Sequence, residues 1–241
     1  FQSHQEFTVT APNHTTPHPT WAEALCTPLK AALQHPWVEG VVRLSAVEDT
    51  LRSVHPMLSI SDVRARVVRI VNETADTKTF VLQPNALWRG QRYAQAGQFV
   101  HLRLEIEGRK VERIYSLSSL PGARQIAITV KQQTGGLVSP YMHEHVQVGD
   151  VLTLSQPEGD FVLPDPLPKK ILLLSAGSGI TPVMAMLRDL HARKYQGDVV
   201  FLHVCRNPDT LIFAADLDAL KEIFPELSLM VRYDDTDGPY T

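Results

Sequence analysis

Cysteine is nearly missing: Cys26 and Cys205 are the only two in 241 residues, and they lie far apart. That scarcity excludes a four-cysteine iron–sulfur cluster within this chain. It offers no metal-ligand spacing and fits a reducing, cytoplasmic setting. Charge of one sign is also lacking. The formal net charge is -3 and no basic cluster tracks one face, so nothing electrostatic argues for nucleic acid. Apolar runs are short: the longest, at 183–187 and 211–215, cannot span a bilayer as a helix. No secretory signal, internal repeat or low-complexity segment is visible. What is present is an ordinary globular composition, 44% apolar and 20% charged, at a length suited to one large domain or two ordinary ones.

Phe1, Gln2 and Ser3 look like the remnant of a purification-tag site and are left out of the fold argument. Residues 4–19, rich in Pro, His and Thr, read as a loose arm. Thr20 with Glu23, and Ser45 with Glu48, have capping-box spacing. They predict a small helical extension up to about residue 58, read as a brace on the main body in preference to a docking surface. From Val63 the rhythm is short and β-branched: strands are predicted at 63–71, 79–82, 98–104, 111–117, 125–131 and 151–155, separated by Gly, Pro and Asp turns. Six such strands read as a small antiparallel barrel. A stiff proline linker at 164–168 follows. Strands at 171–175, 199–205 and 227–233 then alternate with helices at 181–195 and 214–224, the pattern of a parallel sheet.

Three short motifs carry chemistry. Arg113, Tyr115 and Leu117 share one side of a predicted strand, and Ile114, Ser116 and Ser118 the other. A guanidinium fork suits phosphate, a tyrosine ring can cover a flat heterocycle, and a serine hydroxyl can bond a ring nitrogen. Gly135 and Gly136 open a helical stretch at 137–144, where backbone N–H groups can meet an anion, with the Ser139 hydroxyl on the first turn. Gly177-Ser178-Gly179-Ile180-Thr181-Pro182 follows a buried strand. It is not the Gly-x-Gly-x-x-Gly fingerprint, because Pro182 replaces the third glycine. No Gly-Lys-Ser/Thr follows, so it is not a P-loop, and Ala176 and Ile180 rule out a nucleophile elbow. Phosphate binding and a tight strand-to-helix turn both remain open for this loop. Arg206, past the second parallel strand, leans towards a 2′-phosphate and hence NADPH, with a solvated surface Arg as the alternative. His143 and His145 diverge by about 200° on a helix; they read as surface residues, and no metal site is expected.

In this order, Arg-x-Tyr-Ser at 113–116, Gly-x-x-Ser at 136–139 and Gly-x-Gly-Ile-Thr-Pro at 177–182, the chain from Val63 onwards resembles the ferredoxin–NADP reductase superfamily. The resemblance implies a β plus α/β fold: a six-stranded antiparallel flavin-binding barrel, then a parallel α/β nucleotide-binding domain, with an N-terminal helical extension. The corresponding bounds are 1–61 for the arm and extension, 62–167 for the FAD-binding barrel and 168–241 for an NAD(P)-binding domain that is expected to be incomplete. It also implies the site. Arg113 would pair with the flavin pyrophosphate, Tyr115 would cover the isoalloxazine and Ser116 would sit by flavin N5, with Leu117 and Ser118 continuing that wall. Tyr115 and Ser116 would be the catalytic pair. Val130 and Lys131 would flank the ribityl and adenosine portions, and Gly136, Leu137, Val138 and Ser139 would bind the pyrophosphate. Gly177, Ser178, Gly179 and Thr181 would lie under the NAD(P) pyrophosphate. Gly97-Gln98-Phe99-Val100 matches a family segment that is structural. FAD is favoured over FMN because the Gly136 helix start suits a pyrophosphate.

The nearest likeness is to bacterial reductases of fatty-acyl desaturases and oxygenases. It implies hydride transfer from NAD(P)H to FAD, then single electrons to a ferredoxin-type [2Fe–2S] acceptor, which only a domain or protein beyond this chain could carry. A free-flavin reductase and a non-enzymatic flavin-binding electron-transfer subunit are the alternatives.

Overall fold

A computed structural model describes residues 44–237. The loose arm and the Thr20–Glu23 box lie outside the described residues. The first described element is helix α1 (Leu44–Val54). The box expected at Ser45 falls within this helix. Glu48 instead turns to the segment ahead of the barrel. Its Oε1 accepts from the Ser59 hydroxyl (3.0 Å), the Ile60 amide (2.9 Å), and the Ser61 amide (2.8 Å) and hydroxyl (2.7 Å). Burial alone would raise the Glu48 pKa, but the bonds from Ser61, Ile60 and Ser59 outweigh it and hold the carboxyl below its ordinary range. With Arg52 bonded to Asp62 at 2.7 Å, α1 is a brace.

Six strands follow: β1 (Val63–Thr74), β2 (Thr77–Pro84), β3 (Phe99–Ile106), β4 (Arg109–Ser116), β5 (Ile126–Lys131) and β6 (Val151–Leu154). A four-residue helix, α2 (Gly90–Tyr93), lies between β2 and β3, and α3 (Val138–Glu144) lies between β5 and β6. All pairings are antiparallel, in the order β4-β3-β6-β1-β2-β5. The ends of that row meet. Leu117 bridges Ile128, and the Ser118 amide donates to the Ala127 carbonyl at 2.9 Å. Edge strands present unpaired backbone groups, and closure satisfies them. Alternating Phe80, Leu82, Val100, Leu102, Ile128 and Leu154 fill the interior.

The second unit is a parallel sheet in the order β7-β8-β9: β7 (Lys170–Ala176), β8 (Asp198–Cys205) and β9 (Leu227–Tyr233). Its helices are α4 (Ile180–Ala192) and α5 (Ala214–Ile223), with a last turn, α6 (Asp234–Asp237). The expected helix at 181–195 stops at Ala192, and Lys194 turns left-handed (φ 52°). Ile180, Met184, Leu187, Phe201 and Phe213 form its core. The linker is not loose: Leu163 and Leu167 pack against that core.

The two units touch at Gly97. A Cβ there would stand 2.0 Å from the Phe161 carbonyl oxygen and 2.5 Å from Met186 on α4, and φ is +102°. Only glycine fits such a position. That agrees with reading Gly97-Gln98-Phe99-Val100 as a structural segment.

Candidate functional site

The residues predicted on β4 and β5 flank the seam that closes the barrel. β4 pairs with β3 so that Leu102 faces Arg113, Val100 faces Tyr115 and Phe99 faces Ser116. Burial does not alternate cleanly along β4. It deepens towards the seam on both faces: Arg113 and Ile114 are exposed, Tyr115 and Ser116 half-buried, Leu117 and Ser118 buried. The reason is closure, since beyond Ser116 the strand enters the barrel wall beside β5. Leu117 therefore belongs to the barrel core. The Ser118 hydroxyl is spent on the Ala127 carbonyl (3.3 Å) and Thr129 (3.2 Å). Neither side chain points outward as the outer part of β4 does.

The outer residues are better placed to meet a ligand. Among the described residues, the Arg113 guanidinium makes one hydrogen bond, to the Glu112 carbonyl at 2.7 Å. The half-buried Ser116 hydroxyl makes none. Burial raises the Tyr115 phenol pKa, opposed by the positive charge of Arg113, so the ring stays neutral.

The second wall is the end of β5 and the loop into α3. Val130 is buried in the core, and its carbonyl accepts from His143 Nε2 at 2.8 Å. Val130 thus offers no side chain, and His143 is not the surface residue expected: it ties α3 to β5. Lys131 stands 3.4 Å from Asp76. The Gly136 amide donates to the Gln133 carbonyl (2.9 Å), and the Ser139 hydroxyl accepts from the Gln133 amide (3.0 Å). Leu137 is exposed and Val138 buried. At Gly135, φ is +74° and a Cβ would meet nothing within 4 Å.

The third wall is a 3-10 turn, Gly177–Gly179, leading directly into α4. Gly177 has φ +49°, and a Cβ at Gly177 or Gly179 would meet nothing within 4 Å. The two glycines therefore leave open space beside the start of α4, room that fits a phosphate group. The Thr181 side chain is buried, its hydroxyl donating to the Ser178 carbonyl at 3.1 Å, so it shapes the loop from inside. Arg206 is exposed past β8, and its carbonyl accepts from the Asp235 amide at 3.0 Å.

Comparison with known proteins agrees with this arrangement. Residues 64–163 match the oxidoreductase FAD-binding domain family and residues 173–239 the oxidoreductase NAD-binding domain family. The FAD/NAD-binding domain of a nitric oxide dioxygenase from Vibrio cholerae, described as flavohem-like, superposes with a TM-score of 0.67 at 31% identity, over 73% of this chain and 76% of that one. The chain belongs to the ferredoxin–NADP reductase family of FAD- and NAD-binding oxidoreductases. An NADPH oxidoreductase of Mycobacterium tuberculosis is 39% identical over 77% of this chain and 49% of its own length. The glycine betaine monooxygenase reductase subunit of Chromohalobacter salexigens is 36% identical over 73% of this chain and 48% of its own. The chain thus spans about half the length of these two relatives. No described helix is long and apolar enough to cross a membrane.

The motifs did not point to Arg188. On α4 it follows Ile180 and Met184 at four-residue spacing, the stripe that packs into the core. An arginine on an apolar stripe was the available signal. Its Nη1 donates to the Ser118 carbonyl and its Nη2 lies 2.8 Å from Asp216. Half-buried Glu73 stands with them. Burial raises its pKa, while bonds from the Thr79 hydroxyl and the Phe213 backbone and the charge of Arg188 oppose that.

Proposed function

We propose that this chain takes hydride from NAD(P)H onto a bound FAD and passes single electrons to a ferredoxin-type iron–sulfur acceptor serving a desaturase or oxygenase in the cytoplasm. In this reading residues 62–167 hold the flavin and 168–241 the nucleotide. Bound FAD supplies a hydride acceptor that can release electrons singly. The protein supplies binding, orientation and exclusion of water. Arg113 offers its unengaged guanidinium donors to the pyrophosphate, and Gly136, Leu137, Val138 and Ser139 offer the start of α3. Lys131, at the end of β5 ahead of that helix start, adds a positive charge. Tyr115 covers the ring face, and the Ser116 hydroxyl donates to or accepts from the reacting edge. Gly177, Ser178 and Gly179 cradle the nucleotide phosphates over a turn shaped by Thr181. Arg206 favours NADPH through its charge. Leu117, Ser118 and Val130 contribute through backbone or packing.

One observation carries this reading. Helix α4, which begins at the glycine turn, is tied by Arg188 to the carbonyl of Ser118, two residues past Ser116. The phosphate loop and the proposed flavin wall are thereby parts of one assembly. Ser116→Ala is expected to slow flavin reduction by about tenfold to a hundredfold with flavin still bound. Stopped-flow reduction at the wild-type rate would remove Ser116 from the chemistry. Loss of flavin on purification would favour a free-flavin reductase, and flavin that stays oxidised under anaerobic NADPH and NADH would favour a non-enzymatic subunit. The flavohem-like relative favours a second reading, in which the acceptor is a haem. Faster electron delivery to a haem protein than to a ferredoxin would select it.

A further inference from the structure

We infer that Arg188 is a positioning residue: by holding the Ser118 carbonyl and Asp216 together, it sets the nucleotide loop against the flavin wall. The inference rests on the function proposed above and adds a part that no motif assigns. Its basis is a continuous polar network through the seam. The Thr79 hydroxyl donates to Glu73 at 2.6 Å and pairs with Thr129 at 2.8 Å, and Thr129 pairs with the Ser118 hydroxyl at 3.2 Å. The Ser118 carbonyl then accepts from Arg188, which also bonds Asp216 on α5. Five elements besides the Ser118 turn are joined: β1, β2, β5, α4 and α5.

The network crosses between the units at Arg188, which comes from the nucleotide unit and bonds the barrel carbonyl of Ser118, while Glu73 of the barrel feels the Phe213 backbone and the charges of Asp216 and Arg188 from the nucleotide unit. Phe213 carries the strain of the arrangement: its φ is +62°, a left-handed conformation that a bulky residue adopts only when its surroundings impose it. Its ring lies 5.3 Å from the Arg188 guanidinium carbon, within cation–π range. The guanidinium is 20% exposed and sits between two carboxylates, Asp216 and Glu73. Lysine can replace this only in part, because a planar fork reaches two acceptors on different elements where an ammonium on a flexible stem serves one well. Since Ser118 follows Ser116 by two residues, movement of its carbonyl is passed directly to the hydroxyl proposed to face the reacting atoms.

The test compares the full-length wild type with Arg188→Met, Arg188→Lys and Asp216→Asn. Two readouts are taken on each: the stopped-flow rate of flavin reduction per bound flavin at saturating NADPH, and amide exchange over residues 116–119. Arg188→Met is expected to slow reduction at least tenfold with KM for nucleotide little changed, and to speed exchange over 116–119. Arg188→Lys should recover part of both. A purely structural staple would lower Tm while leaving the rate per bound flavin at the wild-type value, and that result would overturn the inference. If Arg188→Met does not fold, Asp216→Asn decides. It keeps the volume and the Ser118 bond but takes away the charge that holds the other arm of the fork, so unchanged rate and unchanged exchange would equally overturn the inference. A wild type that binds no flavin, or whose flavin NADPH and NADH do not reduce, counts against the proposed function. The exchange over 116–119 would still support or overturn the role of Arg188.

Discussion

The barrel and the parallel unit bury their apolar residues in different ways. In the barrel, six strands close on one another, and every core residue from Phe80 to Leu154 has wall on all sides. The sheet of β7, β8 and β9 has helices against one face, where Leu173, Val199 and Phe201 are buried. On its other face Leu172 is 63%, Leu174 59% and Met230 50% exposed. A closed wall makes its strand ends rigid by geometry alone. An open three-stranded sheet depends on what its helices lean against, and here α4 leans on the barrel at Gly97 and Ser118. The proposed site lies where the barrel and the helix α4 of the parallel unit meet.

The strongest way to break that relation is at Gly97. Gly97→Val places a branched side chain into the Phe161 carbonyl and Met186 at a positive φ. The expected cost is about 3 kcal/mol or more, by overpacking and backbone strain together. Thermal melts should show the parallel unit losing cooperativity with the barrel; a wild-type melt would mean the two units do not lean on each other there.

A second effect, of similar size but confined to the parallel unit, is acid sensitivity at His203. The ring is fully buried on β8, its Nδ1 pairs with Ser175 at 2.8 Å, and its Nε2 has no partner among the described residues. Burial lowers its pKa to about 4, against a small opposing effect of Ser175. The unfolded chain, with an ordinary histidine, therefore takes up the proton first as the pH falls. The stabilisation is complete above about pH 6.5 and is lost between there and pH 4, amounting to about 3 kcal/mol. Urea midpoints from pH 7 to 4.5 should fall more steeply in the wild type than in His203→Phe; parallel falls would show that the ring is not the titrating group.

The smallest effect is expected on the open face. The double substitution of Leu172→Thr and Leu174→Thr, on side chains more than half exposed among the described residues, should change stability by only about 0.5 kcal/mol in urea titrations. Leu102→Ala in the barrel core should cost about 2–5 kcal/mol. If the two losses proved equal, the open face would have to be covered in solution.

Much of this molecule could be read from its residues. The alternation from Val63 onwards predicted six barrel strands, and the strand–helix rhythm after Pro168 predicted the parallel sheet, because both periods are local properties of the chain. The glycine turn at Gly177 and the Arg113–Ser116 strand were legible for the same reason. Local pattern could not say where β4 meets β5. That junction turned Leu117 and Ser118 inward, and the docking of α3 on β5 took the Val130 carbonyl for His143. Nor could it show that Glu48, spaced for a cap, would find four donors at 59–61 instead. Arg188 is the plainest case. Its partners, Ser118 and Asp216, are 70 and 28 residues away, and only closure of the barrel and docking of α4 bring them within reach. Sequence by itself determined the elements and where the candidate motifs fall in them. Tertiary structure decided which of those groups remain available, because a hydrogen bond to a distant partner occupies a side chain that local pattern leaves free.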